Sequence, residues 1–141
     1  MFPTAFPQGN IDDRTPKAAD AAGLGYLYAS TALGQQFGQV SGRVTLNGRG
    51  IFGAHVTAFN TATRDLVGSF SLDTQGTFVI GGLKPGLYVL RVEPLDDADL
   101  SSYFTSDTFV EINFRPTIFG SLVAVPAGGS STKVEIKATP K

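Results

Sequence analysis

One short stretch of this 141-residue sequence brings together several side chains that could bind a metal ion. Asp96, Asp97 and Asp99 are followed closely by Ser101 and Ser102, which places several hard oxygen ligands near one another. Calcium prefers such ligands, but the stretch lacks both the D-x-D-x-D-G spacing and the bidentate glutamate of a calcium loop. We therefore weigh a calcium site against a solvated acidic loop, and we favour the loop.

Groups for acid–base or nucleophilic catalysis are scarce. The sequence has one histidine and no cysteine, which excludes disulfides, thiolate metal sites and a histidine cluster. His55 alternates with Val56 in a strand pattern, so we interpret it as a solvent-facing or hydrogen-bonded strand residue. Asp12 and Asp13 are adjacent, and adjacent side chains in a loop diverge instead of sharing a proton in a cleft. The sequence predicts no enzyme and no cofactor in this chain.

The remaining function that these residue types allow is binding of a sugar, or of another ligand with an apolar face, by stacking on aromatic rings. Such a stacking surface could come from five aromatic residues late in the chain: Tyr103, Phe104, Phe109, Phe114 and Phe119. The last three fall in strand-like runs, where aromatic side chains usually belong to the core. Tyr103 and Phe104 lie in a long polar stretch, residues 95–108, and we predict that they form the binding surface.

Composition limits the classes of partner and of fold. The net charge is −1 and basic residues are scattered, so a nucleic-acid partner is not expected. No apolar run is long enough to span a bilayer, and residues 1–20 lack the pattern of a signal peptide. A hydrophobic fraction of 42%, with 17 glycines and 8 prolines, indicates a folded chain rich in turns.

The elements that would position these residues are mostly strands. Apolar residues recur at every second position in runs separated by turn sequences, a pattern typical of half-buried strands. Each predicted strand has one inward-facing set of residues. In chain order these sets are Val40, Gly42, Val44 and Leu46; Ala54, Val56 and Ala58; Leu66, Gly68, Phe70 and Leu72; Phe78 and Ile80; and Tyr88, Leu90 and Val92. Further strands are predicted at 109–114, 118–125 and 132–138, the last with Val134 and Ile136 inside. One helix is predicted over residues 15–28, with Thr15 as its cap and Pro16 in its first turn. The expected fold is an all-β, seven- to eight-stranded antiparallel sandwich with one short N-terminal helix.

The order of these signals resembles the carboxypeptidase regulatory-like domain, a small prealbumin-like sandwich. The resemblance covers residues 38 to about 95 and is carried by Gly42, Val44, Gly53, Ala54, Val56, Asp73, Gly76, Phe78, Ile80, Gly82, Leu83, Pro85, Gly86 and Tyr88. We interpret Gly76 and Gly86 as turn positions that need a positive φ, Pro85 as fixing φ, and Leu83 as an apolar plug. The GGLKPG stretch is therefore predicted to be a scaffold turn, not a phosphate-binding loop.

The first thirty residues resemble a different protein, the C-terminal end of a matrixin-like metzincin metalloprotease. Met1, Phe2 and Pro3 match its methionine turn, and the last helix is matched by Asp20, Gly23, Leu24, Leu27 and Tyr28. The zinc motif H-E-x-x-H-x-x-G-x-x-H is absent, so zinc is expected only in a longer parent protein. We accordingly divide the chain into a metalloprotease remnant at 1–33, a linker at 34–38 and the sandwich at 39–141, and we expect the reading frame to continue upstream of Met1.

These resemblances imply a non-catalytic accessory domain of a secreted bacterial metalloprotease-like protein, extracellular or at the cell surface, for positioning or adhesion. Its partners would be the adjacent protease domain or an extracellular polymer. The alternative is a carbohydrate-binding module, which exposure of two or more of Tyr26, Tyr88, Tyr103 and Phe104 on one face would favour.

Overall fold

The computed structural model of the chain describes residues 16–28, 35–95 and 109–141. Within these ranges lie one helix and ten strands. In chain order they are α1 (Ala18–Tyr28), β1 (Gly38–Leu46), β2 (Arg49–Gly50), β3 (His55–Asn60), β4 (Leu66–Phe70), β5 (Thr77–Leu83), β6 (Gly86–Glu93), β7 (Phe114–Arg115), β8 (Thr117–Ile118), β9 (Val123–Val125) and β10 (Ser130–Pro140). No helix in the described ranges is both long enough and apolar enough to cross a bilayer.

The strands form two sheets of five strands each. In the first sheet, β1 pairs with β10 on one side and with β5 and β2 on the other, and β10 continues to β7. In the second sheet, β3 lies between β4 and β6, and β6 also pairs with β8 and β9. The predicted all-β sandwich is confirmed. The strand number is higher than predicted because β2, β7 and β8 have only two residues each, and the β1–β10 pairing is parallel, not antiparallel.

The core lies between the two sheets and contains most of the predicted inward residues. Fully buried side chains include Val40 and Val44 of β1, Val56 of β3, and Leu90 and Val92 of β6. Phe78, Ile80, Tyr88 and Ile136 are each 1% exposed. Period-two alternation therefore predicted the correct face of β1, β3, β5, β6 and β10.

Strand β4 presents the opposite face from the one predicted. Leu66 and Leu72 are 54% and 62% exposed, whereas Val67 and Ser71 are buried. Pairing with β3 sets Val67 opposite the buried Ala58 and therefore turns it inward. The Ser71 hydroxyl donates to the carbonyl of Ile51 at 2.6 Å and accepts from the amide of Ala54 at 3.0 Å, so its polar group is satisfied inside.

The strands predicted at 109–114 and 118–125 are shorter in the structure, whereas β10 extends beyond the predicted 132–138 at both ends. Of residues 109–114, only Phe114 is in a strand, and it is fully buried. The predicted strand 118–125 is divided into the end of β8 and the separate strand β9.

Helix α1 packs against β5 and β4. It begins at Ala18, so Pro16 precedes the helix, and the predicted cap Thr15 lies outside the described residues. The amide of Lys17 donates to the Asp20 carboxylate at 3.0 Å, which satisfies one free N–H at the helix start. Ala22 is buried in the sandwich core.

Candidate functional site

A tight hairpin between β1 and β2 forms one side of the candidate site. Asn47 and Gly48 have φ values of +52° and +81°, as required at the two central positions of a type I′ turn. The turn sets Leu46 opposite Arg49, and the two residues pair across the hairpin. The Asn-Gly sequence therefore fixes where the Arg49 side chain leaves the sheet.

The segment after the undescribed residues 96–108 forms a second side. The amide of Glu111 donates to the carbonyl of Phe52 at 3.3 Å. Val110 lies against Gly53, in the space that a side chain there would occupy. These contacts hold Phe109 beside the hairpin, where its side chain is 79% exposed.

The turn before β5 forms the third side and is organised by Asp73. The Asp73 carboxylate accepts from the amide of Thr77 at 2.8 Å, and the Asp73 carbonyl accepts from the amide of Gly76 at 3.1 Å. Gly76 has a φ of +74°, and a side chain there would collide with the carbonyl of Val44, so this position requires glycine. The hydrogen bond from Thr77 lowers the pKa of Asp73 below its ordinary value of 3.8.

We expect Asp73→Ala to destabilise the protein at neutral pH by about 0.5–1.5 kcal/mol, the usual net value of a hydrogen bond of this kind. Because the pKa of Asp73 is lowered in the folded state, its contribution is present above the unfolded pKa and is lost as the pH falls through the folded pKa. The stability difference from wild type should therefore shrink below about pH 4. Urea unfolding of wild type and Asp73→Ala at a series of pH values from neutral to acid measures this difference in the free energy of unfolding.

Asp73→Asn is the matched control, since the amide keeps an acceptor oxygen and does not titrate in this range. A difference between Asp73→Ala and wild type that stays constant down to low pH would contradict an ionised acceptor at this turn.

Together the three sides enclose an open cleft of about 740 Å³, which we call the hairpin cleft. Its lining residues are Leu46, Asn47, Arg49, Gly50, Phe52, Thr74, Phe109 and Glu111. Two phenylalanines supply apolar ring faces, while an arginine, a carboxylate, an amide and a hydroxyl supply directional donors and acceptors. The Glu111 carboxylate also accepts from the amide of Asn113 at 2.8 Å, which restricts its orientation. This combination suits a ligand with one apolar face and a polar rim.

The predicted scaffold turn connects strands of different sheets, because β5 pairs with β1 whereas β6 pairs with β3. Leu83 is 1% exposed, as expected for an apolar plug, and Pro85 lies in the bend. The Tyr88 hydroxyl donates to the carbonyl of Lys84 at 2.8 Å and closes the turn. Gly86 has a φ of +155°. The turn is thus built from backbone and core contacts.

Two further features of the turn tie it to the rest of the molecule. Gly82 has a φ of +68°, and a side chain there would collide with the carbonyl of Ala22 in α1. Lys84 forms an ion pair with Asp65 at 2.8 Å, which lowers the pKa of Asp65 and raises that of Lys84.

His55 is engaged on the outer face of the second sheet. Its Nδ1 lies 3.3 Å from the Glu93 carboxylate, whose other oxygen lies 2.6 Å from Arg91. The His55 and Phe70 rings are 5.1 Å apart. The structure therefore places His55 as a half-exposed, hydrogen-bonded strand residue.

Several predicted site residues lie outside the described ranges: Met1, Pro3, Asp96, Asp97, Asp99, Tyr103 and Phe104. Tyr88, one of the residues considered for a sugar platform, is buried at 1% exposure and is unavailable for stacking. Among the described residues, no three histidine, cysteine, aspartate or glutamate side chains are grouped so as to hold a metal ion.

Comparison with family models decides what kind of domain this sandwich is. The carboxypeptidase regulatory-like domain model matches residues 39–114, more than half of the chain. The chain belongs to the carboxypeptidase regulatory-like domain family. The match begins with β1 and ends at β7, and it includes every glycine, proline and tyrosine of the scaffold turn. The regulatory-like domain thus also contains the whole hairpin cleft.

Solved structures with similar parts belong to much longer proteins. The TIE protein of Bacillus anthracis is 13% identical over 74% of this chain and 17% of that chain, with a TM-score of 0.47. The pilus adhesin RrgA of Streptococcus pneumoniae is 24% identical over 62% of this chain and 11% of that chain, with a TM-score of 0.37. A leucine-rich repeat protein of Bacteroides thetaiotaomicron is 11% identical over 75% of this chain and 14% of that chain, with a TM-score of 0.39. A comparison with curated proteins gives no match.

Reasoning from sequence missed most of the cleft in the regulatory-like domain. The sequence pattern groups Phe109 with Phe114 and Phe119 in late strands, yet Phe109 is exposed, whereas Phe114 is buried and Phe119 packs on the core. No motif in the sequence marks Phe52 or Arg49 as a binding residue. The available signal was the Asn-Gly hairpin, which presents the residues that follow it at the edge of the sheet.

Proposed function

We propose that this chain is a non-catalytic accessory domain that positions a longer, secreted bacterial protein on an extracellular polymer, and that the hairpin cleft binds sugar units of that polymer. The observation that carries the proposal is that Phe52 and the exposed Phe109 both line an open cleft that also contains Arg49 and Glu111. The parent protein would be metalloprotease-like, and the domain would act outside the cell or at its surface.

The chemistry of the cleft favours a sugar over a wholly apolar ligand. A pyranose ring has an apolar face that packs on an aromatic ring and hydroxyl groups at its edge that need hydrogen-bond partners. Phe52 and Phe109 can supply the aromatic ring for the apolar face. Arg49, Asn47 and Glu111 can supply hydrogen-bond partners for the hydroxyl groups. The cleft is open at its mouth and is bordered by residue 109, which directly follows the segment containing Tyr103 and Phe104.

The sequence supports the non-catalytic part of the proposal. Nowhere among the 141 residues does a zinc motif or a cysteine nucleophile occur, and the single histidine pairs with Glu93 on a sheet face. Catalysis by zinc would be the property of a preceding domain in the parent protein.

Helix α1 supports a protein neighbour in addition to a polymer. Leu24, Leu27 and Tyr28 are 57%, 72% and 78% exposed, although they recur at the i, i+3 and i+4 spacing of one helix face. These are also the residues that resemble the last metzincin helix. The opposite side of α1 packs on the sandwich through Ala22, so the helix would join the domain to an adjacent protease domain.

Sedimentation with insoluble polysaccharides tests the polymer proposal. Phe109→Ala should weaken binding about 2- to 12-fold, the equivalent of losing one good aromatic contact, and Phe52→Ala should act in the same direction. Phe59→Ala is the matched control, since Phe59 is an exposed phenylalanine of β3 that does not line the cleft. Tyr103→Ala and Phe104→Ala test whether the 95–108 stretch adds to the site.

Binding that survives all four substitutions would show that neither the hairpin cleft nor the 95–108 stretch holds the polymer. Equal losses for Phe59→Ala and Phe109→Ala would likewise contradict a cleft-centred site. Thermal unfolding of each variant separates a lost contact from a lost fold.

A further inference from the structure

A second recess lies on the outer face of the first sheet, at an irregularity in β10. Between the pairs Val40↔Ser131 and Gly42↔Val134, β10 advances by one residue more than β1, which is a β-bulge. Lys133 lies in this bulge with a φ of +69°, a conformation that residues other than glycine rarely adopt. Backbone outliers of this kind cluster at functional sites.

The recess has a volume of about 380 Å³, and we call it the bulge depression. It is lined by Gly42, Arg43, Thr77, Lys133, Val134 and Glu135, none of which lines the hairpin cleft. Arg43 lies between Thr77 on β5 and Glu135 on β10 in the strand register. The bulge therefore brings a lysine from one strand beside an arginine from its neighbour.

Arg43 holds a donor without an acceptor. Its Nε–H is buried, yet it has no hydrogen-bond partner among the described residues. Glu135 is its direct neighbour across the strands, but the two form no ion pair in the described part of the chain. Buried donors in folded proteins are nearly always paired, so the Arg43 Nε–H calls for an acceptor from outside the described chain, either ordered water or a ligand, and a ligand in the depression would reach the guanidinium from its open side.

We propose that the bulge depression is a binding site for a singly charged oxyanion, the carboxylate of a uronic acid unit, held by Arg43 and Lys133. The planar guanidinium fork matches the two oxygens of a carboxylate, and Lys133 adds a second positive charge. Glu135 leaves the depression with a single net positive charge, which suits a monoanion better than the nearly doubly charged phosphate monoester. Thr77 and Glu135 remain as partners for sugar hydroxyl groups.

The carboxylate site stands on its own observations, and only the choice of a uronic acid as the source of the carboxylate rests on the proposed function. An acidic group could bind here whether or not the hairpin cleft binds a neutral sugar. A polymer containing both kinds of unit would engage two faces of the same domain.

Nitrogen-15 NMR of the full chain tests the site directly, because the arginine Nε–H gives its own resonance. Titration with sodium glucuronate at constant ionic strength should shift the Arg43 Nε–H signal and the amides of residues 42–43, 77 and 133–135 in a saturable way. Glucose should leave these signals in place, and inorganic phosphate should bind more weakly than glucuronate. An unmoved Nε–H resonance, equal shifts with glucose, or tighter binding of phosphate would overturn the proposal.

Two variants separate binding from folding. Arg43→Gln should weaken glucuronate binding roughly tenfold or more, as expected for the loss of a charge-assisted hydrogen bond. Lys133→Gly should also weaken it while preserving the fold, since glycine suits the positive φ of the bulge. Lys137→Gln, on the same strand but outside the depression, is the control and should keep wild-type affinity. Unchanged affinity in both Arg43→Gln and Lys133→Gly would disprove the assignment.

Phe109→Ala distinguishes this site from the cleft. Loss of polysaccharide binding with intact glucuronate shifts would mean that two independent sites exist, and intact polysaccharide binding with glucuronate shifts would leave the depression supported and the cleft rejected. Loss of the glucuronate shifts in Phe109→Ala would overturn a separate site.

Discussion

Replacing Gly42 by alanine should destabilise the sandwich by at least about 2–3 kcal/mol. A Cβ at this position would collide with the carbonyl group of Val134 on the neighbouring strand β10. The obstacle is backbone, not the end of a flexible side chain, so the variant can relieve the clash only by separating β1 from β10 at the bulge. These two strands form the centre of the first sheet, and their separation would loosen the packing of Val40 and Val44.

Urea unfolding monitored by circular dichroism measures this effect, with Gly120→Ala as the matched control. Nothing lies within 4 Å of a Cβ built at Gly120, and its backbone is not in the positive-φ region, so that change should be nearly neutral. Equal free energies of unfolding for the two variants would mean that β1 and β10 do not approach each other as closely as described.

The inward faces of β3, β5 and β6 were predictable because only one of the two faces of each strand is consistently apolar. Around β3, for example, Ala54, which precedes the strand, and Val56 and Ala58 within it alternate with a histidine, a threonine and a phenylalanine. The three aliphatic side chains are fully buried. Local pattern was sufficient there, since each inward residue is small enough or apolar enough to fill the space between the sheets.

Strand β4 shows where local pattern fails. Leu66, Phe70 and Leu72 are more apolar than Val67 and Ser71, so hydrophobicity alone selects the wrong face. The face is decided by the register with β3, which is a long-range property, and by two hydrogen bonds that make a buried serine acceptable. No window of sequence around β4 contains either of these facts.

The bulge in β10 could not be predicted from the sequence either, because the local pattern contains no sign of it. The run from Thr132 to Ala138 alternates regularly after its start, and the residue with positive φ is a lysine where a glycine would have signalled a bulge. Gly42, read as an inward strand position, is needed because Val134 approaches it from the partner strand. Parallel pairing of the first and last strands likewise depends on topology and not on composition.

The hairpin cleft could be predicted in part. The Asn-Gly turn and its positive φ values follow from the sequence. What could not follow is the return of residues 109–111 to the side of Phe52, because that contact joins segments separated by a long connection. An exposed phenylalanine was therefore assigned to a strand, and the cleft it helps to form was missed.

Tyr88 joins the core to the scaffold turn, and this dual role makes its substitution informative. Its ring is 1% exposed between the sheets, and its hydroxyl donates to the Lys84 carbonyl at 2.8 Å. The first property depends on ring volume, the second on a single oxygen atom. Two substitutions therefore separate the two contributions.

Tyr88→Ala should lower the free energy of unfolding by about 3–5 kcal/mol, as expected for an aromatic side chain removed from a core, because the cavity cannot fully collapse between two sheets. Tyr88→Phe keeps the ring and loses only the hydrogen bond, so it should cost about 1 kcal/mol. Leu87→Ala is the control: its side chain is 47% exposed on the adjacent position of β6, and its loss should cost far less. Urea unfolding of the three variants gives the comparison. Equal losses for Tyr88→Ala and Tyr88→Phe would show that the turn hydrogen bond, and not ring packing, is what the sandwich depends on at this position.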